Sequence, residues 1–70
     1  MEPTVNKIGN TIRKRRKELG LELKDLQDYS GVNYASISDI ENGKTNPTIK
    51  TLEKLLDVIG MEININVVNK

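Results

Sequence analysis

The chain has 70 residues, 11 Lys and Arg against 10 Asp and Glu, and a formal net charge of +1. A single domain of this size buries only about 60% of the surface its unfolded form exposes, so its stability alone is marginal. It contains no Cys and no His, which excludes disulfides and the common zinc ligands and leaves a second subunit as the route to reinforcement. No cofactor or metal is expected.

The opening residues Met1–Asn10 have no apolar core of signal-peptide type, and no apolar run approaches membrane-spanning length, so the expectation is a cytoplasmic protein. The net charge hides a strong asymmetry. Residues 1–20 carry +4, from Lys7, Arg13, Lys14, Arg15, Arg16 and Lys17 against Glu2 and Glu18. Residues 21–43 carry −4, from Lys24 against Glu22, Asp25, Asp28, Asp39 and Glu41, and the remainder carries +1.

Apolar spacing predicts a first helix from near Thr4, a cap after Pro3, to Leu19, where Gly20 stops it. Val5, Ile8, Ile12 and Leu19 fall on one face, and Arg16 falls on the same stripe. Arg13, Lys14 and Lys17 spread around the solvent side, either as an ordinary solvated face or as phosphate contacts. A second helix, about Leu23 to Ser30, turns Leu23, Leu26 and Ser30 inward and leaves Asp25 and Asp28 as solvated carboxylates. Gly31 then takes the left-handed conformation that ends this helix, and Asn33 caps the next.

The third helix, about Tyr34 to Glu41, points Ile37, Ile40 and Glu41 one way and Ala35, Ser38, Asp39 and Asn42 the other. Tyr34 sits in the first turn, from which its side chain can swing toward a ligand. This outer face is short and rich in hydrogen-bonding groups, which suits close approach to base edges. A buried carboxylate is costly unless paired, and Arg16 and Glu41 both lie on apolar faces, so the two are expected to meet as a structural ion pair. Two closely joined helices of this kind make a helix-turn-helix, the arrangement that places a helix in a DNA groove.

After the loop Lys44-Thr45-Asn46-Pro47, Thr48 caps a fourth helix, Ile49 to Ile59, whose apolar face comprises Ile49, Leu52, Leu55, Leu56 and Ile59. Beyond Gly60 the period changes to two. Met61, Ile63, Ile65 and Val67 take one face of a β-strand that finds no second strand in its own chain. Its economical partner is the same strand of a second molecule across a two-fold axis, which predicts a homodimer; the alternative is a frayed tail.

The string Leu26-x-x-x-Ser30-Gly31-Val32-x-x-x-Ser36-Ile37-Ser38-x-Ile40-Glu41-Asn42-Gly43-Lys44, followed by Asn46-Pro47-Thr48-x-x-Thr51-Leu52, resembles the Xre/Cro-like helix-turn-helix family, related to the lambda repressor-like domains. The resemblance runs from Ile8 to Ile59. It implies an all-α, four-helix lambda repressor-like domain over residues 1–60, to which the periodicity adds residues 61–70 as a dimerisation tail with one C-terminal β-strand pairing across the dimer. The family pairs the residues matching Arg16 and Glu41. Positions matching Tyr34, Ala35, Ser38 and Asp39 contact base edges, and those matching Asn42, Lys44 and Thr45 contact phosphate.

Three departures stand out. Glu22-Leu23 replaces the usual Ser or Thr followed by Gln at the start of the second helix. Gln27 stands where a small residue usually packs against the turn. Asp39 lies on the reading face, where it repels phosphate and can accept a hydrogen bond from cytosine N4. The tail is similar to that of the HipB-like antitoxins, small dimeric repressors that also bind a HipA-type kinase toxin.

The leading expectation is a homodimeric repressor of transcription that binds double-stranded DNA at a palindromic operator, with Lys44 and the first helix anchoring phosphates. The alternative is an antitoxin whose main role is to bind a HipA-type kinase toxin through the acidic middle segment. An enzyme is disfavoured: Ser36 and Ser38 lack a base, and no phosphate loop or carboxylate dyad is present.

Overall fold

The computed structural model describes residues 3–66, in which four helices follow one another: α1 (Thr4–Glu18), α2 (Leu23–Ser30), α3 (Tyr34–Glu41) and α4 (Ile49–Val58). Each apolar stripe read from the sequence contributes to one core, made of Ile12 from α1, Leu26 from α2, Ile37 and Ile40 from α3, and Leu52, Leu55, Leu56 and Ile59 at α4. Burying each of these side chains is worth roughly 1.5–3 kcal/mol relative to leaving it in water. Helix α3 packs against both α1 and α2, and α2 also packs against α4, so α3 is gripped from two sides.

The α2–α3 turn has the expected chemistry. Gly31 sits at φ +79°, a conformation a side chain would strain, and its N–H closes α2 on the Gln27 carbonyl at 2.9 Å. Ser30 Oγ donates to the Leu26 carbonyl at 2.5 Å and accepts the Val32 N–H at 3.1 Å, tying the turn to the helix before it. Asn33 Oδ1 accepts from Ala35 N, and Thr48 Oγ1 accepts from Thr51 N at 3.1 Å, so both predicted caps are in place.

Other expectations need correction. Thr4 is not the cap of α1. Pro3 occupies that position, its carbonyl accepting the N–H groups of Asn6 and Lys7, and Thr4 is the first helical residue. Leu19 is half-exposed, because the helix ends at Glu18 and the chain turns away before Leu19 reaches the core. Ile49 is 66% exposed at the first position of α4, and the helix enters the core only at Leu52. Asp25 is not a free carboxylate: it and Glu22 form a reciprocal capping box, with Asp25 Oδ2 accepting the Glu22 N–H at 2.8 Å.

Residues 61–66 form no helix and no strand pairing within the chain. A strand needs a neighbour for its N–H and C=O row, and none of the four helices can supply one. Met61 packs partly against the core, Ile63 is exposed, and Ile65 is 94% exposed. Val67, the last residue of the expected strand face, lies outside the described residues.

Candidate nucleic-acid interface

Helix α3 is short, and its position is fixed at each end by a different device. At the C-terminal end, Arg16 of α1 grips Glu41 as a bidentate fork, Nε to Oε2 at 2.7 Å and Nη2 to Oε1 at 2.9 Å. Its remaining nitrogen, Nη1, donates to the Leu21 carbonyl at 2.8 Å, so one side chain joins α1, the loop before α2, and α3. Arg16 is 8% exposed and Glu41 5%. Hydrogen bonding to Glu41 pushes the Arg16 pKa up from its ordinary value, against the opposing effect of burial, with the Glu41 charge adding to the rise.

Helix α1 comes this close to α3 because residue 9 is glycine. A Cβ there would lie 2.7 Å from the Glu41 carbonyl oxygen and 2.9 Å from its carbon, nearer than real Cβ atoms approach. At the N-terminal end of α3 the holding groups are amides. Gln27 Oε1 accepts the Tyr34 N–H at 2.9 Å, and Asn33 Oδ1 accepts the Ala35 N–H at 2.8 Å. These bonds satisfy two of the donors that a helix N-terminus leaves without intrahelical partners.

The outward face of α3 carries the residues expected to meet bases. Tyr34 is 55% exposed, Ala35 and Asp39 are exposed, and Ser38 is half-buried. Asn42, the C-cap residue, folds back on this face: its Nδ2 donates to the Ser38 carbonyl at 2.9 Å and lies 3.4 Å from Ser38 Oγ. Lys44 and Thr45 are exposed in the α3–α4 loop, and the Lys44 backbone N–H is anchored on the Asp39 carbonyl at 2.9 Å.

The basic residues of α1 do not form one patch. Arg13 shares a polar cleft with Asn6, Asn10, Glu41 and Asn42, which brings it beside the C-terminal end of α3. Lys17 is one turn further along the same side of α1, and Lys14 is rotated from Arg13 by one residue, or about 100°. Both are exposed. The Arg16–Glu41 pair cancels one charge from the basic block and one from the acidic block.

Sequence reasoning passed over three residues that shape this surface. Gly9 lies on the α1 stripe three residues before Ile12, a signal that could have been followed. Arg15 belongs to the basic cluster in sequence, yet its Nε donates to the Ile59 carbonyl at 3.0 Å and so caps the end of α4. Gln27 stands out in sequence only by its size. Its bond crosses the turn between two helices, and no periodicity announces such a contact.

The Helix-turn-helix family model matches residues 12–65 of the chain. The HTH-type transcriptional regulator DdrOP3 of Deinococcus deserti is 34% identical over 58 residues, which make up 83% of this chain and 45% of that protein. The HTH-type transcriptional regulator SinR of Bacillus subtilis is 40% identical over 58 residues, 81% of this chain and 52% of that protein. The chain therefore spans about half the length of these regulators. Among solved structures, the restriction-modification controller protein C.Esp1396I, crystallised as a tetramer in complex with its natural 35 base-pair operator, superposes with a TM-score of 0.79. It shares 32% sequence identity, over 87% of this chain and 82% of that one.

Proposed function

The chain belongs to the Xre, lambda repressor-like helix-turn-helix family, and we propose that it is a sequence-specific DNA-binding repressor of transcription, acting as a homodimer. The observation that carries this reading is α3 itself: a short helix clamped at both ends, with Tyr34, Ala35, Ser38 and Asp39 on its outward side. Long Lys and Glu side chains, the usual coat of a solvated helix, are absent from that side. Short polar groups let a helix backbone come close to base edges in the major groove.

In this reading Tyr34 and Ala35, at the leading end of α3, and Ser38 and Asp39 behind them, meet base edges. Asn42, Lys44 and Thr45 meet phosphates on one side, and Arg13, Lys14 and Lys17 supply longer-range attraction. Residues 1–60 form the binding domain, and residues 61–70 join two copies. In the dimer this segment pairs edge to edge with the same segment of a second copy, and side chains that one chain leaves in water, such as Ile65, pack within the pair. A dimer of this kind reads a palindrome whose half-sites lie about one helical turn, roughly 34 Å, apart.

Selection of bound duplexes from a randomised library, at stated salt, tests the proposal. Enrichment of a palindrome with half-sites one turn apart is the expected result. A folded, dimeric sample that enriches no sequence would overturn it.

A further inference from the structure

We propose that Gln27 is a positioning residue for base readout, a role that rests on the DNA-binding function proposed above. Gln27 works on both sides of the turn. Its backbone carbonyl accepts the Gly31 N–H at 2.9 Å and so ends α2. Its side-chain Oε1 accepts the Tyr34 N–H at 2.9 Å and so begins α3. One residue of α2 thus sets where the first residue of α3 lies, across seven positions of sequence.

The side-chain bond acts on the end of α3 where placement matters most. In helix-turn-helix proteins the N-terminal residues of the second helix contact base edges, while the first helix crosses the DNA backbone. Tyr34 and Ala35 occupy that leading end, and the core holds α3 mainly further along, through Ile37, Ile40 and Glu41. Without Gln27, Asn33 alone would hold the first turn from within its own segment. The amide also has a fixed orientation. Its oxygen must face the Tyr34 N–H, so its NH2 group is the end turned away from that bond.

The test compares Gln27→Ala, which removes the acceptor, with Gln27→Glu, which keeps an acceptor and adds a negative charge. Binding of the selected duplex and of a scrambled duplex is measured by fluorescence anisotropy at one salt concentration, well below the melting temperature of each variant. Losing one hydrogen bond that orders the reading end should lower the ratio of selected to scrambled affinity roughly fivefold in Gln27→Ala. Scrambled binding, which is governed by phosphate contacts, should stay within about twofold of wild type. Gln27→Glu should weaken both duplexes together and keep the ratio.

A wild-type ratio in Gln27→Ala, or a ratio lost equally in Gln27→Glu, would overturn the positioning role while leaving DNA binding intact. A wild-type protein that binds the two duplexes alike would overturn the DNA-reading function, and the role of Gln27 with it. Gln27→Met, which keeps the side-chain length without an acceptor, takes the place of Gln27→Ala should the smaller residue fail to fold. It is expected to lose the ratio to the same extent.

Discussion

At its C-terminal end α3 is clamped by α1, through the buried Arg16–Glu41 fork and the close passage of Gly9, whereas at its N-terminal end it is held by the amides of Gln27 and Asn33, whose bonds are open to solvent. The first arrangement sits where water is excluded. Two opposite charges there are buried against each other, and the backbones are in contact. The second works in water, where a hydrogen bond contributes only about 1 kcal/mol and a lost partner is replaced by solvent. The N-terminal end of α3 is thus placed by single hydrogen bonds at the surface, and the C-terminal end by a buried ion pair and backbone contact. Stability and readout should therefore separate by mutation.

The largest effect should come from breaking the fork. Glu41→Leu leaves the Arg16 guanidinium buried without its counter-charge and is expected to cost about 3–5 kcal/mol, measured by urea unfolding. The double variant Arg16→Met with Glu41→Leu should recover most of that loss, since an apolar pair of similar volume carries no desolvation penalty. Failure of the double variant to recover would show that the pair is more than a compensated burial. Because the Arg16 pKa is raised, its contribution to stability is complete at neutral pH and is lost only in strongly alkaline solution, as pH rises through the folded-state value. The Arg16 contribution should therefore be flat between pH 6 and 9 when unfolding is repeated across that range, taken as roughly neutral.

Gly9→Ala comes next. In a free helix this change is favourable by about 1 kcal/mol. Here the added Cβ meets the Ile40 and Glu41 carbonyls, so the sign should reverse, with a loss of roughly 1–3 kcal/mol in the same unfolding experiment. A stabilised Gly9→Ala would mean that α1 and α3 are less closely apposed than described. The smallest effect on stability belongs to the other end. Asn33→Ala removes one exposed cap and should cost about 1 kcal/mol. If it cost as much as Glu41→Leu, the contrast between the two ends would fail.

The four helices were legible because each rests on information carried within its own segment. Leu26, Ile37, Ile40, Leu52 and Leu55 recur at helical spacing, Gly31 marks the stop, and Asn33 and Thr48 mark the starts. The juxtaposition of Arg16 and Glu41 was legible for a related reason: a charge on an apolar stripe needs an opposite charge, and each of these two stripes offers one. Segment logic failed at the margins. Leu19 and Ile49 continue their stripes in sequence, but they lie at the ends of their helices and stay exposed. Asp25 reads as a solvated carboxylate, although an acidic residue three positions after another, here Glu22, is also a local capping pattern.

Which segments become helices, most of the faces they bury, and which two charges need each other follow from periodicity, caps and charge balance, which are properties of the chain read in order. That Gly9 marks the crossing of α1 and α3, that Arg15 closes α4, and that Gln27 bonds the first residue of α3 emerge only once the helices are packed. Those contacts depend on how helices cross in space. A helix crossing is set by the packing of all the stripes together, and no single segment encodes it.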